Sequence, residues 1–147
     1  MIPDYQENGC LPPGIHWAGW EEFCQRFGVN KHRKKLITGL HAALICLKAS
    51  GCTKVYINGS FVTNKETPCD FDGCWDIAGV NPKLLDPVLL KFDNKRTTQK
   101  LKYLGELFPA NCCEQGTGKS WLDFFQVDKD TGHRKGVIAI DLRSAHL

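Results

Sequence analysis

Lys54-Val55-Tyr56-Ile57-Asn58-Gly59-Ser60 is followed, after nine intervening residues, by Asp70-Phe71-Asp72. The first five residues are β-branched or aromatic for the most part and read as a strand over 53–58, with Gly59-Ser60 at its end, where the chain turns. Gly59 permits that turn, and the Ser60 hydroxyl can cap a short helical segment after it. Asp70 and Asp72 open a second strand, expected over 70–77. The side-chain period of two places both carboxylates on one face of it. Two hard oxygen donors on one face suit Mg²⁺, which takes one or two carboxylates and completes its shell with water and phosphate oxygens. Exposed backbone N–H groups at the Gly59-Ser60 turn form a candidate phosphate cradle. Neither motif is specific alone. In this order they point to phosphoryl or nucleotidyl transfer.

Outward from this signature, the pattern predicts a compact α/β (α+β) domain spanning 1–147, with an N-terminal helical extension over about 1–28. Turn formers fill Asn8 to Pro13, and Trp17, Trp20, Phe23, Cys24 and Phe27 then recur at helical spacing until Gly28. A longer helix is expected from Asn30, its cap, to Gly51, with Leu36, Ile37, Leu40, Ala43, Leu44 and Leu47 on the apolar face. The basic run Lys31-His32-Arg33-Lys34-Lys35 reads as a solvated first turn of that helix. Pro68 interrupts the connection between the two central strands, which holds a turn or short helical segment at 60–66. Beyond them lie a short helix around 84–90 broken near Asp86-Pro87, a basic helix over Asn94 to Tyr103 and a strand from Leu104 to Ala110. Pro109 marks that strand as an edge or an end. A short helix at Trp121 to Phe125, a turn at Asp130-Thr131-Gly132-His133 and a buried strand at Gly136 to Leu142 complete the order.

Composition narrows the class. A chain of 147 residues, 42% apolar and 24% charged, has room for one core, and it contains no apolar run of membrane-spanning length. The opening residues Met1 to Asn8 lack the basic and apolar regions of a secretory signal, so a cytoplasmic location is expected. Eight cysteines without a Cys-x-x-Cys pair then read as reduced thiols rather than a disulfide frame or zinc site. The net charge of +3 permits an anionic ligand without requiring one. Gly116-Thr117-Gly118-Lys119-Ser120 imitates an ATPase phosphate loop, but Cys113 stands where the first glycine belongs and no long helix follows.

The stretch Val55 to Ser60 with Asp70-Phe71-Asp72-Gly73-Cys74-Trp75 resembles the nucleotidyltransferase superfamily, which includes DNA polymerase beta-like and minimal nucleotidyltransferases. With Leu11-Pro12-Pro13-Gly14 and Glu106-Leu107-Phe108-Pro109-Ala110, the wider chain resembles a small prokaryotic branch of it. The resemblance implies a mixed sheet flanked by helices and transfer of a nucleoside monophosphate from a nucleoside triphosphate such as ATP. It makes Asp70 and Asp72 ligands of Mg²⁺, or of Mn²⁺ in its place, and Gly59 and Ser60 the holders of the triphosphate, with Lys65 and Lys100 as phosphate contacts. A third carboxylate is expected from a later strand: Glu106 is the first choice and Asp141 the alternative. Lys102 is a further candidate phosphate contact, whereas Asp76 and His133 are expected to stay outside the chemistry.

The resemblance also implies a macromolecular acceptor, RNA or protein, in a toxin–antitoxin or defence setting with a cognate antitoxin or toxin as partner; the lack of a spanning apolar run leads to the expectation of no membrane. A second expectation is a noncatalytic nucleotide-binding or partner-binding module that keeps the fold. Convergence of a third carboxylate on Asp70 and Asp72 favours the first, and its absence the second.

Overall fold

A computed structural model describes residues 1–147 and contains a five-stranded mixed sheet with four α-helices, an α+β fold. The strands are β1 (Gly14–Trp17), β2 (Lys54–Asn58), β3 (Phe71–Trp75), β4 (Gly105–Pro109) and β5 (Gly136–Asp141), and their order across the sheet is β1-β5-β2-β3-β4. β2 runs antiparallel to both β5 and β3, whereas the two outer pairs, β1 with β5 and β3 with β4, are parallel. The helices are α1 (Trp20–Phe27), α2 (Lys31–Ala49), α3 (Thr97–Tyr103) and α4 (Trp121–Phe124).

Alternation along the strands divides the sheet into two unequal faces. Val55, Ile57, Phe71, Trp75, Leu107, Ile138 and Ile140 enter the main core, where they join Phe23 and Phe27 of α1 and Leu36, Leu40, Ala43, Leu44 and Leu47 of α2. Burial of side chains of this size contributes roughly 1.5–3 kcal/mol each, so this face supplies most of the driving force. The opposite face carries Tyr56, Cys74, Phe108 and Ala139, which with Ala110 form a small second core under Trp121, Leu122 and Phe125. It is this thinly covered face that holds Asp72 and Glu106.

The helix predicted from Asn30 forms as expected, with the Asn30 side chain accepting the Arg33 N–H at 2.8 Å. It ends at Ala49, and α3 crosses it closely at Gly39, where a Cβ would stand 1.9 Å from the Tyr103 carbonyl oxygen. Two expectations change. The helix predicted from Trp17 begins at Trp20, because Gly14–Trp17 is a strand bound edge-on to β5. The N-terminal stretch is thus built into the sheet rather than being wholly helical. The basic helix expected from Asn94 starts at Thr97, after a 3-10 turn in which Asn94, Lys95 and Arg96 all have positive φ (49°, 56° and 61°). No helix is long and apolar enough to cross a membrane, and all eight cysteines are free.

Candidate active site

The register of three strands builds the site. Asn58 lies opposite Asp72 in the antiparallel β2–β3 pair, and Asp72 lies beside Glu106 in the parallel β3–β4 pair. Cross-strand neighbours share a face, so Asn58, Asp72 and Glu106 form a single row near the ends of their strands. Asp70, two residues before Asp72, projects from the same side. A ligand oxygen from each of Asp70, Asp72 and Glu106 lies within 4.8 Å of the other two.

Three carboxylates this close repel one another, and burial adds to the cost of their ionisation. Burial above all, then the charges of Asp70 and Glu106, push the Asp72 carboxyl up to about 7, against the opposing pull of Lys100 and Lys135. Asp70 is raised as well, first by burial and then by Glu106, with Lys100 and Arg96 opposing. Glu106, 8% exposed, is paired with Lys100 (Nζ to Oε1, 2.8 Å) and Arg96 (Nε to Oε2, 3.2 Å). The left-handed turn at 94–96 delivers the Arg96 guanidinium, which also lies 5.6 Å from the centre of the Phe108 ring. Asparagine tolerates this region, but Lys95 and Arg96 there cost on the order of 1 kcal/mol each, so the ion pair sits on a strained support.

Gly59 begins a 3-10 turn, Gly59–Val62, with φ +75°, and a Cβ there would come within 2.6 Å of Asp72 Oδ2. Glycine is therefore required twice, by its backbone and by the carboxylate beside it. Asn58, 1% exposed, has neither its side-chain oxygen nor its nitrogen partnered, although both are buried at the edge of the carboxylates. A cleft of about 800 Å³ opens from this point. Asn58, Gly59, Ser60, Lys65 and the three acids line it, together with Trp121, Phe124, Phe125 and Lys135.

The donor set fits a hard divalent cation: three carboxylates, all oxygen, on a common face, with an orphaned amide beside them. Asp70, Asp72 and Glu106 would hold Mg²⁺ or Mn²⁺. Ser60 and Lys65, also expected at the site, lie on the cleft wall. Lys100 is diverted from a phosphate contact to an ion pair with Glu106. Lys102 is bound to Asp86 instead. Asp141, the alternative third acid, lies in register with Lys54, four residues along β2 from Asn58 and so roughly 13 Å away at strand rise. Its carboxylate pairs with Arg143 at 2.9 Å, which holds it below its usual range and leaves it out of the cluster. Asp76 accepts the Ala78 N–H beyond the far end of β3. The Gly116 and Thr117 amides are already taken by the Glu114 carboxylate, both at 2.7 Å, so that loop has no free cradle for phosphate.

Sequence reasoning misses Arg33 and Asn58 as parts of this region. Arg33 lies on the apolar stripe with Leu36 and Leu40, and that spacing is the available signal. Asn58 is a polar terminus to an otherwise apolar strand, but its place beside Asp72 depends on pairing.

The raised carboxyls give a signed pH effect. A folded Asp72 that titrates near 7 holds its proton after the unfolded chain has lost its own near 4, so metal-free stability falls from about pH 4 to about pH 7 and then levels. Asp72→Asn should remove that part of the fall, leaving the variant more stable than the parent at pH 8 in chelator by on the order of 4 kcal/mol. Urea unfolding of both proteins at pH 5 and pH 8 measures it. An unchanged difference between the two at the two pH values would show that Asp72 ionises normally.

Fold and site together define an α+β domain with a three-carboxylate cluster where β3 and β4 begin. A profile of a family of unknown function, DUF6932, matches residues 3–141, and the chain belongs to that family. Comparison with curated proteins and with solved structures returned no match.

Proposed function

We propose that the protein is an Mg²⁺-dependent nucleotidyltransferase of the cytoplasm, moving a nucleoside monophosphate from a nucleoside triphosphate to a hydroxyl of an RNA or protein acceptor with pyrophosphate leaving. The convergence of Asp70, Asp72 and Glu106 within 4.8 Å carries this reading. The resemblance of Gly59-Ser60 and Asp70-Phe71-Asp72 to the nucleotidyltransferase signature supports it.

When bound, the metal supplies charge neutralisation at the reacting phosphate and orientation of the attacking oxygen. The chain's own residues do the rest. Asp70, Asp72 and Glu106 present carboxylate oxygens from one side. Gly59 keeps the backbone close to Asp72 and leaves the turn open to phosphate oxygens, and Ser60 offers a hydroxyl to them. The Lys65 ammonium adds positive charge on the same wall, and the Asn58 amide has both a donor and an acceptor to give. Asp72 retains a proton near neutrality that it would have to lose to serve as a ligand, so cation affinity would rise with pH through 7. A toxin–antitoxin or defence role, with a cognate partner protein, belongs to the same proposal.

Calorimetry tests it: Mg²⁺ should strengthen nucleoside triphosphate binding at least tenfold, because triphosphate and carboxylates share the cation. Equal affinity with Mg²⁺ and with excess chelator would end the reading. One observation favours a noncatalytic nucleotide-binding or partner-binding module: Arg96 and Lys100 already neutralise Glu106. Coupled binding without pyrophosphate release in the presence of RNA or protein acceptors would select that module.

A further inference from the structure

We propose that Phe124 is the stacking surface for the heteroaromatic base of a nucleoside triphosphate bound in the cleft. The inference deepens the nucleotidyltransferase reading and rests on it for the position of the phosphates. The segment between β4 and β5 lays aromatic rings over the thin face of the sheet, against Phe108 of β4. Phe108 and Trp121 stack at 3.9 Å between ring centres and 14° between planes, and Phe125 lies 5.4 Å from Trp121. Those three rings have a structural task, closing the small core. Phe124 belongs to neither core, yet it lines the cleft that contains the carboxylates.

Its neighbours hold Phe124 firmly. Trp121 and Phe125 each lie 5.5 Å from its centre at steep angles, 84° and 64°, as in edge-to-face packing. A ring supported in this way loses little freedom when a second flat ring is laid on it. The cleft also has the capacity for a whole nucleotide, at about 800 Å³ within the range of small-molecule sites. Its lining offers the groups such a ligand requires: oxygen donors and a glycine turn for the metal and phosphates, Lys65, Lys129 and Lys135 for negative charge, set beside the acids Glu114, Asp128 and Asp130, and an aromatic surface for the base. Stacking tolerates any base, because each has a π face.

The test uses the full chain, with ATP, GTP, CTP and UTP titrated in Mg²⁺ and the tightest carried forward beside Mg²⁺ with inorganic tripolyphosphate. Phe124→Ala and Phe124→Leu should each weaken the nucleoside triphosphate about ten- to hundredfold, as loss of a base-stacking ring does elsewhere. Tripolyphosphate affinity should stay within twofold of the parent. The leucine variant keeps apolar bulk, and thermal unfolding of both variants identifies any loss of fold. Unchanged nucleoside triphosphate affinity in the leucine variant would overturn the proposal, as would equal losses for both ligands in a folded variant. Tripolyphosphate bound by the parent more tightly than every nucleoside triphosphate would overturn it also. The underlying metal reading fails by a different pattern: Asp72→Asn would leave both ligands bound as in the parent, while the Phe124 variants still discriminate between them.

Discussion

Arg33→Met is expected to destabilise the protein by about 4 kcal/mol, a loss of roughly 10 °C in Tm for a chain of this length. Arg33 is 2% exposed, and no carboxylate pairs with it. Its guanidinium instead donates to the carbonyl oxygens of Phe27 (3.3 Å), Phe61 (2.7 Å), Thr63 (2.8 Å) and Lys65 (2.5 Å), and it lies 5.0 Å from the Phe61 ring centre. Burial lowers its pKa. Methionine fills much of the volume but leaves four carbonyls without their donor, and each orphaned buried acceptor costs about 1–3 kcal/mol. Water can reach the Lys65 end, which keeps the total below the sum. Lysine has the charge without the planar fork and should recover only part of the loss. The same bonds hold residues 61–65 behind the Gly59–Ser60 turn, so a folded Arg33→Lys protein should also bind Mg²⁺ and triphosphate less tightly. Melting within 1 °C of the parent for Arg33→Met would mean that the carbonyls find other donors and that this loop is not anchored by Arg33.

That arginine shows where sequence reading reaches its limit. In a run of five basic residues, charge suggests a solvated turn, and Lys31, His32, Lys34 and Lys35 are indeed exposed. Arg33 differs because its position continues the apolar stripe of α2 and because a loop more than 25 residues away folds back over it. The first signal is local and the second is tertiary. Local signals serve well elsewhere: α2 with its Asn30 cap, and the strands β2, β3, β4 and β5, all lie where periodicity and turn residues put them. β1 escapes notice because four residues with alternating exposure carry little pattern of their own, and β5, the partner that makes them a strand, is over 100 residues distant. At the site, the period of two suffices to put Asp70 with Asp72. Glu106 requires the register of β3 against β4, which no pattern within either strand specifies. Resemblance, not periodicity, suggests it. The same distinction explains Asp141, an acid in an apolar strand whose partner is Arg143 two residues on, at the other end of the sheet.

The carboxylates offer the largest expected effect. If the proposed nucleotidyl transfer is the reaction, Asp72→Asn and Glu106→Gln should each reduce it by a factor on the order of 10³, equivalent to about 4 kcal/mol at the transition state. Each substitution removes a charged oxygen from the cluster at nearly constant volume, and neither cuts into the main core. Asp70→Asn should act in the same way. Asp141→Asn should leave turnover at the parent level, since its lost partner Arg143 is exposed and such surface pairs contribute little. Stability separates chemistry from folding here with unusual clarity. Asp72→Asn removes the buried charge, and with it the repulsion from Asp70 and Glu106, that together raise the carboxyl to about 7, so an inactive variant that melts no lower than the parent at pH 8 identifies a functional loss. Glu106→Gln releases Arg96 from its ion pair and with it the strained turn at 94–96, so its unfolding must be measured beside its kinetics. A folded but inactive Asp141→Asn with full activity in Glu106→Gln would overturn the assignment of Glu106 as the third acid. Parent-level transfer in all four variants would mean that the reaction does not pass through these acids, and that the cluster exists to hold Arg96 and Lys100.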